Sequence, residues 1–327
     1  MSHYSVCVAI PASRLEGGEM SAWRIESILD EILAPYDEGP VSEEYLEFQD
    51  KTEECREGYH KDTRTAVRFP DGSVHSAFAE EVTRRFVLRE GKLLEKVNGC
   101  EVETDNTRTL ELLQDYPVEK LYTFEKYCEE YCGYEQVDER WGYWRNPRAK
   151  WDWFSIGGRF DGDFLVKKDA PSAIDTVEDD QSPDYLRADG ARMGEIEWEE
   201  MRRRAFAAVK RDYEKLVRAC ESGQTKEFGP LVSCTADGIY SWNHLLYRKG
   251  ESLEEYRARM GLSEGDRYRL SCYAFADLEG EWHSQGDMGW FGLSANDKEE
   301  RTWHDEIQAF AASVGKQDYL VMVDCHI

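Results

Sequence analysis

Residues 319–327 read Tyr-Leu-Val-Met-Val-Asp-Cys-His-Ile, an apolar run that predicts a closing β-strand. At the other end, His3–Pro11 alternates weakly and is rich in Val, Ile and Tyr, which predicts a buried first strand stopping at Pro11. Between them, strands and helices mix without a steady βαβ rhythm. The expectation is therefore an α+β fold. Its mixed, mainly antiparallel sheet would hold the N- and C-terminal strands centrally and be packed by amphipathic helices.

The helices are legible from their spacing. Ser21 caps a helix whose Ile25, Ile28, Leu29, Ile32 and Leu33 form one core-facing stripe, closed by Pro35. A long helix is expected from about Gly194 to Cys220, with Ala205, Val209, Tyr213 and Leu216 as its stripe and Gly223 as its stop. Trp303, Ile307, Phe310, Ala311 and Val314 mark a last amphipathic helix. Phe124–Cys132 reads as a short helix closed by Gly133.

Thr65–Phe69 and Val74–Phe78 flank Pro70-Asp-Gly-Ser73, a hairpin signal. Residues 80–120 define no element by pattern. Trp151–Phe164 reads as a strand interrupted at Gly157-Gly158. Its two faces, Trp151 with Trp153 and Phe154 with Ile156, are both apolar, which predicts a central position. Residues 231–248 and 267–283 also read as strands. Residues 169–189 are polar and acidic and read as a loop or linker. The expected division is an N-terminal part over 1–168, that loop or linker, and a C-terminal part over 190–327 completing the same sheet, with one single domain as the alternative.

The chain has 327 residues, of which 41% are hydrophobic and 13% aromatic, enough for a substantial core. Its formal net charge is −26, which disfavours direct contact with nucleic acid or anionic lipid. No apolar run is long enough for a membrane span. Met1–Cys7 lacks the basic and long apolar regions of a signal peptide. Nine cysteines is an odd count with scattered spacing; Cys7, Cys220, Cys234, Cys272 and Cys325 read as buried free thiols, which suits a reducing cytoplasm.

Against this acidic background, residues 141–162 stand out. They hold four of the ten tryptophans together with Arg145, Arg148, Lys150 and Arg159, against only Asp152 and Asp161. Flat rings and fixed positive charge suit a flat anion such as a nucleotide. Trp144, Trp151 and Trp153 could stack on a base, at about 1–3 kcal/mol per base. Arg145, Arg148 and Arg159 could fork onto phosphate. Gly157 and Gly158 would let backbone N–H groups approach an anion. The alternative is that Trp151 and Trp153 only fill a core. Gly286-Asp-Met-Gly-Trp-Phe-Gly292 reads as a loop presenting Trp290, as a lid or folded onto the core.

Asp324-Cys325-His326 invites a metal or nucleophile reading. Alternation puts Asp324 and His326 on one strand face, with His3 and His283 as possible further ligands; a buried Asp–His hydrogen bond is the plainer account. Cys128 and Cys132 lie one helical turn apart without a second pair. No Gly-x-Gly-x-x-Gly, phosphate-binding loop or Gly-x-Ser-x-Gly elbow occurs. No catalytic residue, metal or cofactor is assigned on this basis.

The chain resembles a widespread group of tailed-bacteriophage proteins with no established activity. The matching residues are His3-Tyr-Ser-Val6, Leu33-Ala-Pro-Tyr-Asp-Glu38, Glu44-Tyr-Leu-Glu-Phe48 with Thr52-Glu-Glu54, the stretch from Gly142 to Arg159, Met288-Gly-Trp-Phe-Gly292 and Val323-Asp-Cys-His-Ile327. The central Gly142-Tyr-Trp-Arg-Asn-Pro-Arg-Ala-Lys-Trp-Asp-Trp-Phe-Ser-Ile-Gly-Gly-Arg159 is the most specific match. The resemblance implies viral origin and action in the host bacterial cytoplasm.

Together these readings predict a phage-encoded protein that interacts with the host and acts against its defences. It would bind a small anionic, nucleotide-like molecule and sequester or process it. Two alternatives stay open. The acidic tracts at 37–57 and 174–184 would suit a nucleic-acid mimic that inhibits a host defence protein, and Asp324 with His326 would suit a metal-dependent hydrolase.

Overall fold

In chain order, the larger of two units is built from β1 (His3–Ile10), α1 (Ala22–Leu33), β2 (Trp153–Ile156), β3 (Gly190–Arg192), α2 (Trp198–Ser222), β4 (Ala274–Ala276), β5 (Trp282–Ser284), α3 (Glu300–Ser313) and β6 (Tyr319–His326). Residues 2–17, 20–39, 42–242, 244–289 and 292–327 are described in this computed structural model. The sheet runs β2–β6–β1–β4–β5, with β3 also paired to β6. β1 and β6 pair antiparallel over their whole length, from His3 opposite His326 to Ile10 opposite Tyr319. β1 pairs with β4 in parallel, which makes the sheet mixed. The fold is α+β, with the terminal strands in the middle of the sheet as their apolar runs require.

Both faces of those strands are sealed, because side chains alternate along a strand and each face has its own cover. Val6, Val8 and Ile10 of β1 meet Val321, Val323 and Cys325 of β6 on one face, under Ile25, Leu29 and Leu33 of α1. Cys7 and Ala9 meet Leu320 and Met322 on the other, under Trp303, Ile307 and Phe310 of α3 and the strand Phe164–Lys167. Ser21 caps α1 by accepting from the Arg24 N–H at 3.3 Å. α2 begins at Trp198, a little later than its pattern suggests, and ends where Gly223 turns left-handed at φ 68°. Leu216 and Ala219 at its far end pack on Ile239 and Tyr247 of a small three-stranded sheet.

The segment read as one strand over Trp151–Phe164 is broken up. Only Trp153–Ile156 is strand, and it lies at the edge of the sheet rather than in its centre. A 3-10 turn follows at Gly158–Phe160, and Phe164 opens a strand of another sheet. Residues 169–189 lie inside the larger unit and supply Val177–Glu178 and Tyr185–Ala188 to that second sheet. Asp179 is buried there and held by Arg187 and Arg204.

The smaller unit, Ser42–Pro147, has three three-stranded sheets. Its hairpin pairs Thr63–Arg68 with Val74–Ser76, as the Pro70-Asp-Gly-Ser73 turn predicts. Phe124–Tyr131 starts as an α-helical turn and continues as a π-helical one before Gly133. Residues 86–102, which show no usable pattern, form a three-strand meander.

Candidate functional site

The Trp-rich stretch is divided between the units. Trp144 and Arg145 end a strand of the smaller unit, opposite Phe48 and Glu47. Both are exposed, and the Trp144 ring meets Phe48 edge-on at 5.4 Å. In the larger unit, Arg148 lies over the Tyr36 ring at 4.8 Å, donates to the Tyr36 hydroxyl at 2.7 Å and pairs with Glu281 at 3.2 Å. Trp151 is 7% exposed in the core under α1 and donates its Nε1–H to the Leu33 carbonyl at 3.3 Å. That packing removes it from the rings able to stack on a ligand. Trp153 is 45% exposed.

Trp153 belongs to an ordered group. On the face that carries Cys7 and Met322, the apolar rows stop at one end of the sheet. Two polar rows follow. The register sets Ser155 beside Asp324 and Asp324 beside Ser5; one step further out it sets Trp153 beside His326 and His326 beside His3. Six residues from three neighbouring strands thus share one face. Cys325 points to the opposite side, where burial pushes its thiol well above the usual range and keeps it protonated.

Each histidine is tied to a carboxylate through Nδ1. His3 Nδ1 bonds the Asp324 carboxylate at 3.0 and 3.2 Å. His326 Nδ1 bonds Asp152 Oδ1 at 2.5 Å. The two imidazole centroids are 5.0 Å apart. Trp153 stacks on His326 at 5.4 Å and 21°, and meets His3 edge-on at 5.6 Å. Neither Nε2 has a hydrogen-bond partner among the described residues. The His3 side chain is 15% exposed and the His326 side chain 6%. With Nδ1–H fixed on a carboxylate, Nε2 is the atom that can accept or donate a proton.

Gly157 and Gly158 have φ of 63° and 58°. A Cβ on Gly157 would come within 2.1 Å of the Asp189 carboxylate, and one on Gly158 within 2.5 Å of Asp324 Cβ. The Arg159 N–H after them donates to Asp324 Oδ2 at 3.0 Å. The close approach these glycines allow is therefore to the protein's own carboxylates, not to an external anion. Gly158 makes room for Asp324, the partner of His3, and Gly157 makes room for Asp189. The Arg159 side chain is exposed.

Trp290 lies outside the described residues. Its flanking Gly289 and Gly292 are both bonded to the Ser2 hydroxyl, one residue from His3. His283 binds Asp277 at 3.0 Å instead of joining His3. Among the described residues, no group of three or more His, Cys, Asp and Glu side chains is arranged to hold a metal ion. Nor, among them, is any helix long and apolar enough to cross a membrane.

The sequence pattern placed Asp324 and His326 on one face and offered His3 only as a possible further metal ligand; in the structure His3 is the hydrogen-bond partner of Asp324. It missed Asp152 and the stacking of Trp153 on His326. The available signal was the antiparallel pairing of the two terminal strands, which sets His3 opposite His326. The chain matches no protein-family model, no curated protein and no solved structure.

Proposed function

We propose that this chain binds a small anionic, nucleotide-like molecule at the His3–His326–Trp153 face. In this reading it is a phage-encoded protein that sequesters or processes that molecule in the host cytoplasm, against host defence. One observation carries the reading: an exposed indole backed by a stacked imidazole, beside a second imidazole, in a chain of net charge −26. A base on the outer face of Trp153 would extend an existing stack, at about 1–3 kcal/mol. The Arg159 guanidinium on the adjoining turn, and Nε2–H of whichever imidazole is protonated, supply donors for phosphate oxygens.

Calorimetry with mono-, di- and cyclic nucleotides tests this. At least one class is expected to bind, and Trp153→Ala to weaken it by about 5- to 100-fold while the melting temperature stays nearly constant. Flat traces for every nucleotide with folded protein would remove the proposal.

A further inference from the structure

We infer that His3 and His326 form a general acid–base pair that cleaves a phosphoester bond in the bound molecule; the inference rests on the ligand reading above. With ring centroids 5.0 Å apart, the two imidazoles are close enough to contact one phosphoryl group. Both have Nδ1 committed to a carboxylate and Nε2 without a hydrogen-bond partner among the described residues. This is the state in which a histidine moves protons, because the carboxylate fixes the tautomer and supports the imidazolium when it forms. A merely structural histidine pair in a sheet does not need a separate carboxylate on each Nδ1.

The step balances without a further reactant except water. One neutral Nε2 takes a proton from the attacking water, whose oxygen bonds to phosphorus. The ester P–O bond breaks, and the other histidine, as imidazolium, gives its Nε2 proton to the leaving alkoxide. The two histidines thereby exchange protonation states, and solvent restores them. The same pair serves equally if the attacking group is a ribose hydroxyl of the ligand, which leaves a cyclic phosphate and a free alcohol. Asp324 and Asp152 are positioning residues. Asp324 is 2% exposed and receives both the His3 imidazole and the Arg159 N–H. Asp152 is 43% exposed.

Each histidine has a defined set of neighbours. His3 faces Asp324, His326 and Trp153, and His326 faces Asp152, His3 and Trp153. Because one imidazole must start neutral and the other protonated, turnover against pH is expected to be bell-shaped.

The experiment follows turnover of bis(p-nitrophenyl) phosphate, 2′,3′- and 3′,5′-cyclic mononucleotides and cyclic dinucleotides by chromatography, with calorimetry on the same panel. His3→Asn and His326→Asn are each expected to lower kcat at least 100-fold while changing affinity less than about threefold. The double variant is expected to fall little further, because the two act as a unit. Asp152→Asn, at an exposed position that leaves the core untouched, is expected to lower kcat with KM unchanged. Binding without turnover, or turnover that survives either histidine substitution, overturns the inference and leaves the ligand reading standing. Absence of both binding and turnover overturns the two together.

Discussion

At the level of single residues, several side chains and glycines of the site have little conformational freedom left. Gly158 is the sharpest case. Its positive φ and its contact with Asp324 leave no room for a methyl group. Gly158→Ala is expected to destabilise the protein by about 1–3 kcal/mol and to displace Asp324 from His3. Chemical denaturation gives the first effect, and loss of nucleotide affinity gives the second. A variant of unchanged stability and affinity would contradict this role. The mutual hydrogen bond that was the plainer expectation for Asp324 and His326 does not form, since Asp324 binds His3 and His326 binds Asp152. Some of the residue-level picture was legible: alternation alone put the two on one face. The partner of His326 was not. Asp152 precedes an edge strand, and only the β2–β6 register brings it to His326; no local spacing encodes that pairing.

At the scale of elements, periodic signals were reliable where one face is buried and the other is wet. α1 and α3 bury the stripes their spacing marks. The first and last strands are central because both of their faces are apolar. The same argument misplaced β2. Trp151, Trp153, Phe154 and Ile156 look apolar on both faces, yet Trp151 precedes the strand and packs under α1, while Trp153 covers two imidazoles and stays half exposed. An aromatic ring that shields polar groups has the same signature as one that fills a core. The glycine pair misled in a related way. It does mark a close backbone approach to an anion, but the anion is a carboxylate of this chain.

At the scale of the whole molecule, the division into units was hidden. Residues 42–147 form their own unit, and only the short Gly39-Pro40 and Asn146-Pro147 breaks mark its ends in the sequence. The acidic stretch that looked like a linker is anchored by a buried carboxylate. Burial alone would raise Asp179, but Arg204 and Arg187 hold it below the usual carboxylate range. Asp163 is the opposite case: burial pushes its carboxyl up to about 6, only partly offset by Arg269 and Arg187. Its Oδ2 has no partner, and it lines a cavity of about 300 Å³ with Arg187, Arg204 and Arg269. A folded-state value above the unfolded one favours the protonated form, so the native state loses stability as pH rises from about 4 to about 6. Asp163→Asn removes that dependence. The variant is expected to match the native chain near pH 4, to gain on it up to pH 6, and to be more stable by about 1–2 kcal/mol at pH 7.5. Thermal melts at matched ionic strength check this, because the difference between two chains of nearly equal charge cancels the general effect of acidity.

The central claim is that a nucleotide-like anion is held where Trp153 meets His3 and His326. The most direct measurement is ¹⁵N-histidine NMR during nucleotide titration, which resolves the seven histidines of the chain. The expected result is that the Nε2 resonances of His3 and His326 shift together, with one saturation curve, while the other five stay in place. Saturable binding that leaves those two unmoved, or that moves His60, His75, His244, His283 or His304 instead, would contradict the account.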